Sequence, residues 1–367
     1  MKITKILFEV PFEQINLNDE FFDSLRNSYH EFNAWFKKKA EEGRKANCVV
    51  YSNDKIIAFL SLKIEDENTK YLKDIPGFES GIKRLKISTF KIIKNSERRL
   101  GERFIQRIYK SAMKEKIKFI YLTLFNNENT LPLVTLLTNY GFYRYQNLNN
   151  RGEEIWIKTI HFSTENSPKG NYPLNLDGLK NNSKVYWLPI ENKYHNKLIG
   201  FDANSKKLDK GYYDRASIYT IEKYYISFVS EYKLKNLHSG DILLIYRMGD
   251  EGTQKSYSSI VTSYGVFESY DKLCGLTKYE FFNKVKNRTA YSEQELEKIY
   301  KFNKKCYLIS FLFISPIYKY KNETNKPYWK LKDLWDNKIL DFPNGPRPFD
   351  IIKTSAFLKL LNDKKNN

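Results

Sequence analysis

Apolar and polar positions recur along the chain with two periods, and switches between them mark out elements. Residues 5–10 alternate as a strand does, and Asn18 or Asp19 then caps a helical stretch. Its apolar stripe is Phe22, Leu25, Tyr29, Phe32 and Phe36, and Gly43 ends it. Two strands follow, ANCVVYS and KIIAFLSLKIE, joined at the turn signal Ser52-Asn53-Asp54. A loop with Pro76, Gly77 and Gly81 leads to the strand IKRLKISTFKII. After it come a charged turn, the helix GERFIQRIYKSAMKEK and the strand FIYLTLF. A short helix LPLVTLLTNY and the strands GFYRYQN and EEIWIKTI complete this half. Counting the stretch before Gly43 as two helices, the order is β-α-α-β-β-β-α-β-α-β-β, a mixed α/β arrangement.

Residues 167–184, SPKGNYPLNLDGLKNNSK, are poor in apolar side chains and read as a linker. The expected division is a domain over 1–162, a linker over 163–183 and a second domain over 184–367. The second half reads mostly as strands: KVYWLPI, GDILLIYRM, SYGVFESY and CYLISFLFISPIYKY. SEQELEKIYKF is a helix with Ser292 as N-cap and Glu295 completing a capping box, and LKDLWDNKIL is another short helix. Several strands with two or three helices predict a small β-barrel.

Composition narrows the function classes. The formal net charge of +19 fits attraction to a polyanion such as RNA, although a Lys-, Asn-, Ile- and Tyr-rich chain also drifts basic. No apolar stretch is long enough to span a membrane, and the acidic residues early in MKITKILFEVPFEQ argue against a signal peptide. Three scattered cysteines, Cys48, Cys274 and Cys306, and four dispersed histidines argue against a structural metal and fit a reducing cytoplasm. The motifs GxSxG, HExxH and the P-loop are absent from the sequence.

The candidate chemistry lies at 94–104, KNSERRLGERF. The helix that follows puts Leu100, Phe104, Ile105, Ile108 and Ala112 on one face. Gly101 falls in its first turn, where propensity gives no reason for glycine, and a missing Cβ there would let a ligand approach the backbone. First-turn amides and the helix dipole favour an anion, and Arg98, Arg99 and Arg103 add charge, so a diphosphate is the natural occupant. A solvated, charge-rich helix start is the plain alternative.

The ordered elements resemble the GNAT superfamily of N-acetyltransferases. That family's cofactor loop is Gln/Arg-x-x-Gly-x-Gly/Ala: Gly101 matches the last glycine, Arg99 occupies the earlier glycine position, and Ser96 stands where Gln or Arg is usual. LTNYGFYR (137–144) is similar to its later motif. The resemblance implies acetyl-CoA held in a splay between the fourth and fifth strands. The diphosphate would sit at Ser96, Arg98, Arg99, Leu100, Gly101, Glu102 and Arg103, and the pantetheine along Lys86–Phe90, with Ile87, Ser88 and Phe90 named. A backbone N–H of the fourth strand would stabilise the oxyanion. Where the family often has a tyrosine acid stands Leu137, and Tyr140 points in another helical direction, where it packs. Asn126, Asn127 or Asn129 would supply the asparagine before this helix. The base candidates are Glu65 and Asp66 at the end of the third strand and Glu79 in the next loop, while Ser88 and Thr89 could order a water.

The second half resembles the PUA-like superfamily in its ASCH/EVE branch, through WLPIENKYHNKL, IEKYYIS, HSGDILLIYRMG, SSIVTSYGVFES, YSEQELEKI and CYLISFLFI followed by LKDLW. That resemblance implies an RNA or modified-base cleft, with Lys223, Tyr225, Tyr246, Arg247 and Lys255 as contacts. The pairing implies an acetyl-CoA-dependent N-acetyltransferase acting on an RNA-associated amine, such as an aminoacyl-tRNA or a nucleobase, in a toxin-like or RNA-modifying role. The alternatives are a degenerate CoA- or RNA-binding sensor and a protein N-acetyltransferase. A homodimer is compatible with each.

Overall fold

The structure, a computed structural model, describes residues 4–66, 81–93, 99–200, 220–285, 288–302, 305–319 and 328–362. The chain divides into two compact units, Met1–His161 and Phe162–Asn367.

In the first unit the strands are β1 (Thr4–Pro11), β2 (Lys45–Ser52), β3 (Lys55–Glu65), β4 (Arg84–Ile92), β5 (Phe119–Leu124), β6 (Tyr143–Leu148) and β7 (Glu154–Thr159). They form one sheet in the order β1-β2-β3-β4-β5-β7-β6. All neighbours are antiparallel except β4 and β5, which run parallel. The long helical stretch is broken into α1 (Asp23–Ser28) and α2 (Phe32–Glu41) by an extended Tyr29. Its predicted stripe packs Phe22, Phe32 and Phe36 against Phe59 of β3, with the Phe22 and Phe59 rings 5.4 Å apart and edge-to-face. Helix α3 (Leu100–Lys114) buries the predicted face of Leu100, Phe104, Ile105, Ile108 and Ala112, and the Phe104 ring meets Phe90 of β4 at 5.2 Å. Each such aromatic contributes about 1.5–3 kcal/mol by leaving water. Helix α4 (Leu131–Asn139) follows β5.

In the second unit the strands are β8 (Val185–Ile190), β9 (Glu222–Ser227), β10 (Ile242–Arg247), β11 (Ile260–Lys272), β12 (Tyr307–Pro316), β13 (Trp329–Lys330) and β14 (Ile351–Ile352). The sheet order is β14-β8-β10-β11-β12-β9, with β13 on β11 and a parallel β8–β10 pair. Register shifts between β10 and β11 and twice between β11 and β12 bend the sheet into a curled half-barrel. One of them sits at Gly265, where a Cβ would lie 2.6 Å from the Leu312 carbonyl oxygen, so the strands' approach requires glycine. The sheet is apolar on both faces: Trp187, Leu244 and Val266 face one core, Leu188, Ile245 and Phe267 the other. The capping box expected at Ser292 and Glu295 is present, at 3.3 and 2.7 Å.

Residues 163–183, expected as a linker, are built into this unit. Asn171 is buried and its side chain exchanges hydrogen bonds with the Ser163 backbone at 2.9 and 2.8 Å, while Ser167 caps the short helix α5 (Pro168–Asn171). Leu176 and Leu179 pack on the core. Polar side chains satisfy the backbone here, which is why the composition looked like a linker. Among the described residues no helix is long and apolar enough to cross a membrane.

Helix α6 (Asn192–Ile199) buries His195 completely, its Nε2 2.8 Å from Thr262 Oγ1. Burial, with the Arg247 charge acting the same way, drives the imidazole down from 6.5 to about 3. Between those values the unfolded chain binds a proton that the folded one refuses, so stability falls as pH drops from 6.5 toward 3. The expected loss is a few kcal/mol at most. Urea unfolding from pH 7 to pH 4 should show it, and His195→Gln should flatten the slope; an unchanged slope would assign it to other groups.

Candidate functional site

The site begins where β4 and β5 part. They pair only at Arg84–Phe119, Leu85–Ile120 and Lys86–Tyr121, after which β4 runs on to Ile92 and β5 to Leu124 without pairing to each other. On its other side β4 stays paired with β3, except for a bulge: Ser61 opposes Thr89 and the next residue, Leu62, opposes Ile87. Ser88 is therefore the extra residue, half-exposed at the opening. Ile87, Ser88, Thr89 and Phe90 all fall on the stretch of β4 beyond the last β5 pair; Ile87 and Thr89 are buried, and Phe90 turns to α3.

The closed end of this opening carries a polar cluster. Glu65 is fully buried, with Lys63 Nζ 3.0 Å from its Oε1, and the Tyr121 hydroxyl donates to its Oε2. The bond ties β3 to β5 across β4. Lys86 lies between, its ammonium 5.6 Å from the Tyr121 ring centre. Burial and then the Glu65 charge hold the Tyr121 hydroxyl protonated far above the usual tyrosine range. Burial pushes Lys86 below the ordinary lysine value, while Glu65 and Glu153 pull it the other way. Tyr121 escaped the sequence reading because a tyrosine in FIYLTLF looks like packing.

Two connections meet near this cluster. Tyr29, between α1 and α2, donates to Glu153 Oε1 at 2.8 Å, and Asn149 Nδ2 holds Oε2 at 2.5 Å. Arg151 of the β6–β7 turn pairs with Glu31. Burial and then Glu153 raise the Tyr29 hydroxyl above its usual range. Neither residue carries a local sequence signal, since each makes sense only beside the other.

The start of α3 differs in detail from expectation. Arg99 has φ 46°, the left-handed region that favours glycine. Its guanidinium lies 3.6 Å from the inward-turned, buried Glu102. At Gly101 a Cβ would lie 2.7 Å from Leu136 Cδ2 of α4, so the missing side chain makes room for that helix. Leu100 is buried, and Arg103 turns toward β1 with its guanidinium 5.3 Å from the Phe8 ring. Glu79, Ser96 and Arg98 lie outside the described residues. Asn129 is exposed and donates its backbone N–H to Asn127 Oδ1 at 3.0 Å, while Asn126 reaches Glu154 at 3.2 Å. Leu137 and Tyr140 are both buried, and Tyr109 donates to the Tyr140 carbonyl at 2.8 Å.

In the second unit the expected RNA contacts do not converge on a surface. Lys223, Tyr246 and Arg247 are each at most 3% exposed. Arg247 donates to Asn196 Oδ1 at 3.0 Å and Asp250 Oδ1 at 2.7 Å, and the Tyr246 ring stands edge-on to Trp187 at 6.1 Å. Tyr225 is half-buried, its hydroxyl raised by burial, and Lys255 alone is exposed. The strand end that read as a surface is interior because β10 is covered on both faces.

No protein-family model matches the chain, and no curated protein matches it in sequence. Among solved structures it is similar to NAA60 of Arabidopsis thaliana crystallised with a bisubstrate analogue. Identity there is 12%, covering 43% of this chain and all of that one, with a TM-score of 0.29. It is also similar to the PaiA N-acetyltransferase of Thermoplasma acidophilum in complex with coenzyme A, at 12% identity over 43% and 99% of the two chains, TM-score 0.30. A GNAT-family acetyltransferase of Listeria monocytogenes matches at 15% identity over 43% and 99%, TM-score 0.29. Likenesses this slight do not assign a chemistry.

The packing role of Gly101 is open to a double-mutant cycle. Gly101→Ala should cost roughly 1–2 kcal/mol in denaturant unfolding, because Leu136 must leave its rotamer. In a Leu136→Ala background the same change should be neutral or stabilising, since alanine is the better helix former. Equal costs in both backgrounds would remove Leu136 from the explanation.

Proposed function

We propose that the first unit is an acetyl-CoA-dependent N-acetyltransferase. The observation that carries this reading is the parting of β4 and β5 beyond Lys86 and Tyr121, with a bulge at Ser88 and a helix start immediately downstream. A strand edge released from its neighbour offers backbone N–H and C=O groups to an extended chain such as pantetheine. The bulge frees backbone groups at Ser88 to meet an oxyanion. The first turn of α3, with Arg99 beside it, suits a diphosphate. These features fit acetyl-CoA, which supplies an acyl thioester when bound.

The chain's own residues then divide the proton work. An acceptor that arrives as an ammonium sheds two protons in becoming an amide; one ends on the departing thiol and the other leaves to solvent. Glu65, buried at the closed end, accepts from the nitrogen. Tyr121, already donating to Glu65, passes a proton toward the thiolate and regains one through that hydrogen bond. This gives the hydroxyl that Leu137 lacks, and favours an enzyme over a degenerate sensor. The Lys86 ammonium, within electrostatic reach of Glu65 and Glu153, balances their charge. The acceptor we infer is an amine borne on a nucleic acid, in keeping with the net charge of +19.

Acetyl-CoA should raise the melting temperature, since ligand at a hundred times its Kd adds about 2.7 kcal/mol to the folded state. No shift at millimolar cofactor would sink the reading. Incubation with labelled acetyl-CoA and separated cellular RNA and protein should place the label in the RNA fraction; label in protein alone would move the acceptor there. With that acceptor, Tyr121→Phe and Glu65→Gln should each lower kcat by about 10²–10⁴ and leave the KM for acetyl-CoA unchanged. Full activity in Tyr121→Phe would exclude it as the proton donor.

A further inference from the structure

Trp329, Lys330, Leu331 and Lys332 alternate in and out: Trp329 and Leu331 are buried, and the two lysines point away. The pairing of β13 with the start of β11 brings them beside the short helix Lys255–Ser258, which carries Tyr257. The Tyr257 ring is 47% exposed, with the Lys330 and Lys332 ammonium groups 5.7 and 5.6 Å from its centre. Lys332 also donates to the Tyr257 hydroxyl at 3.4 Å, and Lys255 stands exposed on the same short helix. Among the described residues no carboxylate forms an ion pair with these three lysines. The nearby Asp333 is taken by the Lys319 ammonium and the Lys330 backbone N–H, both at 2.9 Å.

We propose that Tyr257, with Lys255, Lys330 and Lys332, binds single-stranded nucleic acid. Two ammonium groups sit over one ring and a third lysine stands exposed on the same short helix, none paired with a carboxylate among the described residues, and a polyanion relieves their mutual repulsion. An acidic peptide would use the charges alone. A single strand uses both parts: phosphates meet the lysines and a base stacks on the ring as the lysines swing outward. The surface extends the nucleic-acid-borne acceptor inferred above, but it is read by binding alone, so loss of acetyl transfer leaves it standing and loss of binding leaves the first unit's chemistry standing.

The test is fluorescence anisotropy of a labelled oligouridylate with the full chain at several salt concentrations. The triple variant Lys255→Ala, Lys330→Ala, Lys332→Ala should reduce the log–log salt slope by about 2, at roughly 0.7 per charge lost. Tyr257→Ala should weaken binding by roughly 5- to 150-fold without altering the slope, and Tyr257→Phe should retain it. These positions are exposed, and unchanged melting curves would confirm folding. Wild-type affinity and slope in both alanine variants would overturn the proposal. So would equal, Tyr257-independent affinity for a duplex or for polyglutamate, the latter marking a surface for an acidic protein.

Discussion

The parting of two parallel strands is the constraint on which the first unit depends. Along its length β5 pairs with β7, and β4 pairs with β3 from Arg84 to Ile92, yet the two share only three residue pairs. Each is thus held from outside while the seam between them opens. The closed end needs a fixed point, and the Tyr121–Glu65 hydrogen bond supplies it by linking β3 to β5 over Lys86. A carboxylate in so dry a place would be costly alone. Lys63 and Lys86 beside Glu65 offset that cost.

What could be read from the sequence was whatever repeats locally. The α3 face from Leu100 to Ala112 is visible as a helical period, and the Ser292–Glu295 capping box as a spacing of three. The order of elements in the first unit follows from such signals. Contacts that join distant segments have no such signature. Tyr121 and Glu65 are 56 positions apart, and Tyr29 and Glu153 are 124 apart. Their meeting depends on strand register and on a helix break at Tyr29, which periodicity does not specify.

The misreadings in the second unit share one cause, the assumption that polar residues face solvent. Arg247 and Lys223 are interior because the second sheet is apolar on both sides, leaving strand ends inside rather than at a rim. Exposed basic and aromatic groups lie instead at Tyr257 and Lys332, the lysine turned outward by the in-and-out alternation of Trp329, Lys330, Leu331 and Lys332.

Arg99, at the start of α3, shows the same difference between sequence pattern and structure. Its backbone takes the left-handed conformation that glycine adopts freely, at a cost of about 1–2 kcal/mol for any other residue. Glycine would remove that cost but also the guanidinium that stands 3.6 Å from Glu102. Beside it, the buried carboxylate in the first turn of α3 has an opposite charge within ion-pair reach. The left-handed arginine therefore keeps a backbone conformation that glycine adopts freely and sets a guanidinium beside the buried Glu102 at the start of α3.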